Sequence, residues 1–326
     1  MLRPIFVLAS TLLVGTATLV AQAAENVTTY IGCCDASAAV AVDGEHFVVA
    51  DDEDNVLRVY RREGGSPIMN IDLGSHLGTK KKAEEADLEG GAMVDDIIYW
   101  IGSHGRNSKG KDSPMRQRII ATKVGHARGG LQIDPVSKPY TTLLEDLLAD
   151  ERLKKFGFEA AATKAPKAEG ALNIEGLTAT PDGHLLIGFR NPIPNGKAII
   201  VPLLNPRKLF EGERSKFGDP VELDLQGLGI RSLGFHGDRC LIIAGNYAEG
   251  GNSRVFEWKP GETEARLLEN IKLKGLNPEG MSFAKPGSSA EFLVVSDDGT
   301  RTVDGQDCKK LKNPALKRFR GIVLSL

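Results

Sequence analysis

Charge of one sign is missing from this chain: 41 basic residues stand against 43 acidic ones, a formal net charge of −2 at pH 7. That balance leaves no global electrostatic footprint for nucleic acid or a membrane surface. Cysteine is scarce, four in 326 residues, too few for a disulfide scaffold. No Gly-x-Ser-x-Gly elbow occurs, so a serine hydrolase of that type has no local support. His104 and His184 lie far from any Cys-x-x-Cys or His-x-x-x-His spacing, and neither argues for zinc. Gly105 to Asp112 nearly spells a phosphate-binding P-loop, but Asp112 stands where Ser or Thr is required and a strand follows in place of a helix. With Arg106, Lys109, Lys111 and Arg116, this basic loop can still grip phosphate.

A long apolar run occurs only near the start. Ile5 to Val20 follows Arg3, contains Thr11, Gly15, Thr16 and Thr18, and leads into Ala21-Gln22-Ala23. This reads as a secretory signal peptide over residues 1–23, cleaved after Ala23. Residues 24–326 are then one exported domain, periplasmic or secreted, free of the membrane after cleavage and able to form disulfides.

What the chain has in quantity is glycine, 37 residues, with 41% hydrophobic residues. Asn173 to Asn191 shows how they are used: a strand, a Pro181-Asp182-Gly183 turn, a second apolar strand, then an abrupt polar end. Asp87 to Gly102 and Asn277 to Asp298 repeat the design, and Ser37 to Asp52 and Arg231 to Asn246 are weaker copies. Five hairpins spaced by roughly 50–85 residues are a repeat signature. With the strands that follow each hairpin, the first four units hold four strands apiece. The last offers three, Gly280 to Ala284, Glu291 to Ser296 and Gly321 to Leu326. A lone strand at Val27 to Ile31 supplies its missing member. The expected fold is therefore all-β, a five-bladed β-propeller closed by the N-terminal strand. A six-bladed propeller with one degenerate blade and a pair of β-sandwiches are the alternatives. Leu143 to Phe158 breaks the pattern with apolar residues at helical spacing, predicting one inserted helix between the second and third blades.

In a blade the strands alternate direction, so blade connections and the ends of the second strands share one face. The long stretches Ser75 to Asp87, Ser103 to Gln117, Glu145 to Asn173 and Gly299 to Arg320 all fall there, which marks it as the functional face. Alignment of the five units brings Ser37, Glu89, Glu175, Arg231 and Glu279 to the channel ends of the innermost strands. It brings Asp52, His104, Arg190, Asn246 and Asp298 to the ends of the second strands. Converging carboxylates repel one another, which raises their pKa values or demands a cation. Oxygen ligands of this kind suit Ca²⁺ better than zinc. The metal set expected is Glu89, Glu175 and Glu279. Arg190 and Arg231, with Arg106, would hold an anion, and His104 would carry a proton. Asp52, Asn246 and Asp298 complete the ligand-binding rim. A propeller rim lined only with solvated charge is the competing reading.

Cys34-Asp35-Ala36-Ser37, Asp87-Leu88-Glu89-Gly90, Ile98 to Asn107, Asn173 to Leu177 and Phe319-Arg320-Gly321 together resemble a family of exported bacterial propeller-like proteins of unknown function. More distantly, the Glu-Gly openings look like those of phytase-like esterase propellers and calcium-dependent lactonase propellers. That resemblance implies a Ca²⁺ on the channel axis and hydrolysis of an ester or phosphoester beside it. Arg231 and Ser37 depart from such a ligand set. The expected function is Ca²⁺-dependent hydrolysis of a small anionic ester or phosphoester by a monomer. The alternative is a non-catalytic periplasmic module that binds a sugar, peptide or protein. Loop positions also place Cys34, or else Cys33, beside Cys308, which predicts one disulfide there and leaves Cys240 as a buried hydrophobe.

Overall fold

The computed structural model describes residues 27–79, 84–127, 130–248, 250–273, 275–283 and 290–326. The expected signal peptide lies outside the described residues. Five four-stranded antiparallel sheets follow one another as the blades of a propeller. Blade 1 is Ala36–Ala41, His46–Asp51, Val56–Arg61 and Met69–Asp72. Blade 2 is Leu88–Val94, Ile97–Gly102, Ile119–Ala127 and Gly130–Tyr140, and blade 3 is Asn173–Ala179, Leu185–Asn191, Lys197–Leu203 and Val221–Asp224. Blade 4 is Gly229–His236, Arg239–Gly245, Arg254–Trp258 and Arg266–Leu267. Blade 5 takes Pro278–Phe283, Glu291–Ser296 and Arg318–Ser325 from the end of the chain and Val27–Ile31 from its start. That last strand pairs antiparallel with Arg318–Ser325, Tyr30 opposite Phe319.

Each seam between neighbouring blades has its own apolar core. Between blades 5 and 1 lie Tyr30, Phe47, Tyr60, Val295 and Phe319. Tyr30 stacks on Phe319 with ring centroids 4.9 Å apart and meets Tyr60 edge-on at 5.5 Å. Blades 2 and 3 are filled out by the insertion, whose Leu143, Leu147, Leu153 and Phe158 join the core of that seam.

The insertion is not one helix. It runs as Leu143–Ala149, a 3-10 segment Glu151–Phe156 and a short helix Phe158–Ala161. The first break comes at Asp150, whose carboxylate accepts from the Arg152 backbone N–H, and the second at Gly157 with φ of +68°. Apolar periodicity carried through these breaks because both flanking pieces bury the same face.

The recurring Glu-Gly has a two-part cause. In every blade the innermost strand slips register against the second by one residue, and the residue left over is Ser37, Glu89, Glu175, Arg231 or Glu279. A β-bulge turns its extra side chain out of the pleat. The glycine that follows faces the next blade. A Cβ on Gly90 would lie 2.8 Å from Leu177 Cβ, and one on Gly280 would lie 2.9 Å from the Ala39 nitrogen. The innermost strands come too close there for any side chain.

A disulfide joins Cys34 to Cys308 across 274 residues of sequence, with Cα atoms 5.8 Å apart. Cys33 and Cys240 are free and buried. No helix among the described residues is long and apolar enough to cross a membrane.

Candidate functional site

Four of the five bulge residues, Glu89, Glu175, Arg231 and Glu279, line a cavity of about 990 Å³ on the long-loop face. Ser108, Ala165 to Ala168, Gly250, Thr300 and Lys309 from the loops wall it in. The long Asn205 to Pro220 loop contributes no residue to it.

One half of the site is a buried chain of ion pairs. Arg190 is bonded through Nη1 to Glu175 Oε1, which also accepts from Asn173 Nδ2 at 3.0 Å. Arg231 Nη1 lies 2.8 Å from Glu279 Oε1 and donates to Asn277 Oδ1 at 2.7 Å, while its Nε is 3.9 Å from Glu175 Oε2. Ser37 Oγ donates to Glu279 Oε2 at 3.5 Å. Burial, opposed by Arg231, pushes the Glu279 carboxyl up to about 8. Arg190 is itself a register slip, left unmatched on the second strand opposite Glu175, so both partners are turned out of the sheet together.

The other half holds more carboxylates than cations among the described residues. Asp52, Asp87 and Glu89 bring one oxygen each within 4.8 Å of one another, and so do Asp35, Asp51 and Asp52. Arg116 bonds Asp87 Oδ2 at 2.8 Å and also pairs with Glu85. Lys309 Nζ holds Glu53 at 2.8 Å. Two carboxylate oxygens of this half, Asp35 Oδ2 and Asp52 Oδ1, are buried with no hydrogen-bond partner, as is Glu175 Oε2 in the arginine-paired half. Burial, then the neighbouring carboxylates, holds Glu89 and Asp52 well above the usual range. Burial and Asp51 push Asp35 up to about 9, and burial raises Asp51 and Asp87 to about 6.

The structure thus divides the expected metal set. Glu175 and Glu279 are held by arginines, and Glu89 groups with Asp52 and Asp87. Asp52, Arg190 and Arg231 line the cavity as the alignment placed them. His104, Asn246, Asp298 and Arg106 do not. His104 is buried, with Nδ1 bonded to the Gly102 carbonyl and Nε2 without a partner, and burial lowers it to about 4. Asp298 is clamped by Arg320 Nε at 2.8 Å and Nη2 at 2.6 Å, which fixes the third strand of blade 5. Asn246 is exposed, and its carbonyl receives Arg190 Nε at 3.1 Å. Arg106 spends its guanidinium on the Ala162 and Gly110 carbonyls and ties the basic loop to the insertion.

Sequence reading missed Asp35, Asp51, Asp87, Asp297 and Lys309, and of the basic loop residues named for phosphate it is Arg116 that lines the cavity. A signal for part of this set was present. Two residues before each ring position stand Asp35, Asp87, Asn173, Gly229 and Asn277, so four blades carry a carboxylate or amide on the same side of the strand as the bulge.

A family described as a protein of unknown function, DUF3616, matches residues 35–124 and 116–302. No curated protein matches the chain. Among solved structures, glutaminyl cyclase of Myxococcus xanthus is 11% identical with a TM-score of 0.47, covering 92% of this chain and 95% of that one. Aldose sugar dehydrogenase of Streptomyces coelicolor, in its PQQ-bound form, is 10% identical at a TM-score of 0.43, covering 92% and 99%. PhoX of Pseudomonas fluorescens is 12% identical at 0.41, covering 89% and 69%. Identities this low concern the fold alone.

Proposed function

Starting from the fact that this chain belongs to the DUF3616 family of proteins of unknown function, we propose that its channel-mouth cavity is a Ca²⁺ site that receives and hydrolyses a small anionic ester or phosphoester. The observation that carries the reading is the Asp52, Asp87 and Glu89 triad beside the buried, unpartnered Asp52 Oδ1. Oxygens on one Ca²⁺ are roughly 4.6–5.2 Å apart at most, given a metal–oxygen distance of 2.3–2.6 Å, so the observed spacing fits. All-oxygen donors favour Ca²⁺, Mg²⁺ or Mn²⁺ over softer metals.

The residues divide the work by charge. Arg116, Arg190, Arg231 and Lys309 are each paired with a carboxylate, so none is free to hold an anion alone. Asp52, Asp87 and Glu89 would hold a cation in the acidic half, which would supply the missing positive charge, polarise the scissile group and lower the pKa of a bound water. Glu279 faces the cavity with its carboxyl near 8, within reach of Ser37 Oγ, and so can exchange a proton near neutral pH. Glu279 would give that proton to the leaving oxygen as the ester C–O or P–O bond breaks and water's hydroxyl joins the acyl or phosphoryl centre, and water's remaining proton would return to the Glu279 carboxylate. The Cys34–Cys308 disulfide supports a periplasmic or secreted location for this activity.

The binding-module reading draws on one observation: His104, the expected proton carrier, does not line the cavity. Thermal melts of chelator-stripped protein with and without Ca²⁺ test the site, and a screen of generic ester and phosphoester substrates tests the reaction. Ca²⁺ is expected to raise the melting temperature by binding the folded state, and Asp52→Asn to abolish the rise. A calcium response without turnover of any substrate would favour the binding module.

A further inference from the structure

Two overlapping acidic triads stand at the cavity, and Asp52 belongs to both; of their five carboxylates Asp51 alone does not line it. We propose that the site is dinuclear: Asp87 and Glu89 hold one divalent cation, Asp35 and Asp51 hold a second, and the Asp52 carboxylate bridges them. This rests on the reading of the cavity as a cation site and extends it to the number of ions and their arrangement.

The second triad has evidence of its own. Asp35 is 3% exposed, it lines the cavity, and its Oδ2 is buried with no partner. A carboxylate oxygen so placed loses its hydration without compensation unless a cation or proton meets it. The backbone around it is built to hold the position. The Asp52 N–H donates to the Asp35 carbonyl at 3.3 Å, the Asp298 N–H donates to the Cys34 carbonyl at 2.9 Å, and the neighbouring Cys34 is fixed to Cys308. Asp51 Oδ2 accepts from the backbone N–H groups of Cys34 and Asp35, both at 3.4 Å, and Oδ1 from Glu53 N–H at 3.0 Å.

Charge decides between one ion and two. Among the described residues nine carboxylates line the cavity, Asp35, Asp52, Glu53, Glu85, Asp87, Glu89, Glu175, Glu279 and Asp297, against five cations, Arg116, Lys167, Arg190, Arg231 and Lys309. With Asp51, a proposed ligand behind the lining residues, ten carboxylates face five cations when all are ionised; one divalent ion leaves three negative charges and two leave one. Two ions sharing a carboxylate stand about 3.5–4 Å apart, the spacing at which a pair clamps both the attacking and the leaving oxygen of a displacement. The ligand class follows: a phosphoester, whose two terminal oxygens can span the pair, ahead of a carboxylic ester with a single carbonyl oxygen.

Mn²⁺ serves as the probe, since it takes oxygen ligands and reports its neighbours by electron paramagnetic resonance. Chelator-stripped protein titrated with Mn²⁺ is expected to take up two ions per chain and to show an exchange-broadened spectrum. Asp35→Asn is expected to leave one ion per chain with an isolated-ion spectrum, and Glu89→Gln to do the same from the other side. Asp52→Asn is expected to lose the exchange broadening. Should Asp35→Asn fail to fold by circular dichroism, Asp51→Asn takes its place with the same expectation. One ion per chain in the parent, unchanged by Asp35→Asn, would overturn the dinuclear centre and leave the cation site standing. Two ions without exchange broadening would overturn the bridge. No bound Mn²⁺ and no Ca²⁺ by calorimetry would sink both this inference and the reading beneath it.

Discussion

Glu175 and His104 show how differently two residues of one alignment are used. Glu175 is 3% exposed and bonded to Arg190, with Arg231 nearby. Glu175→Gln leaves a buried guanidinium short of its counter-charge, a loss of about 3 kcal/mol by the usual cost of breaking a buried pair. We predict a lower urea midpoint for this variant together with an undiminished Ca²⁺-induced rise in melting temperature, because the acidic triad lies elsewhere. Loss of the calcium response in Glu175→Gln would return Glu175 to the metal set. His104 makes a prediction in pH. Its folded pKa, about 4, lies below the unfolded value near 6.5. The unfolded chain therefore binds the extra proton between those limits, so the stability contributed by neutral His104 is full above pH 6.5 and is lost as pH falls toward 4. The difference between parent and His104→Asn should shrink over that window by up to about 3 kcal/mol. Asparagine tolerates the positive φ of 56° at this position. A difference flat with pH would mean that the imidazole titrates normally.

At the scale of strands, much of the fold could be read from the chain because its signals are local. A turn such as Pro181-Asp182-Gly183 and a polar stop such as Asp51-Asp52 lie within a few residues of the strands they bound. The ring positions were legible for the same reason, since a bulge at the second or third residue of a strand repeats at a fixed place in every unit. Their partners were not. Arg231 of blade 4 meets Glu279 and Asn277 of blade 5, and Arg116 of a loop meets Asp87, contacts set by the closing of the ring rather than by spacing. The glycines after the bulges give the element-scale prediction. Gly280→Ala puts a methyl 2.6 Å from Val295 Cγ2 and 2.9 Å from the Ala39 nitrogen, and the backbone of the next blade cannot yield as a side-chain tip can. We expect a loss of about 1–3 kcal/mol, the range for an overpacked core. Gly183→Ala in the turn is the comparison. Its nearest neighbour is a side-chain methyl at 3.5 Å, and its cost is one of φ alone. Equal effects on the Ca²⁺-free melting temperature and on calcium affinity from both variants would count against close approach at the axis as the reason for the Glu-Gly.

For the whole molecule, the ends of the chain meet twice at one seam. Val27–Ile31 pairs with Arg318–Ser325, and Cys34, three residues beyond that closing strand, is bonded to Cys308. In the unfolded chain the bond closes a loop of 274 residues, for which the entropic model allows at most about 6 kcal/mol. In the folded chain its action is local: a short tether keeps the closing strand beside its partner when hydrogen bonds fray. The seam it guards carries the Tyr30, Phe47, Tyr60 and Phe319 cluster, and loss of the strand would leave the Arg318–Ser325 edge open to a second chain. Reduction with a dithiol, or Cys308→Ala, is therefore expected to lower the melting temperature and to weaken the seam before the rest of the ring. Hydrogen exchange read by mass spectrometry provides the check. Peptides covering Val27–Ile31 and Arg318–Ser325 should lose protection first, while Leu185–Asn191 in blade 3 keeps the parent's rate. If all five blades lose protection together on reduction, the propeller opens as one cooperative unit and the seam is not its weakest point.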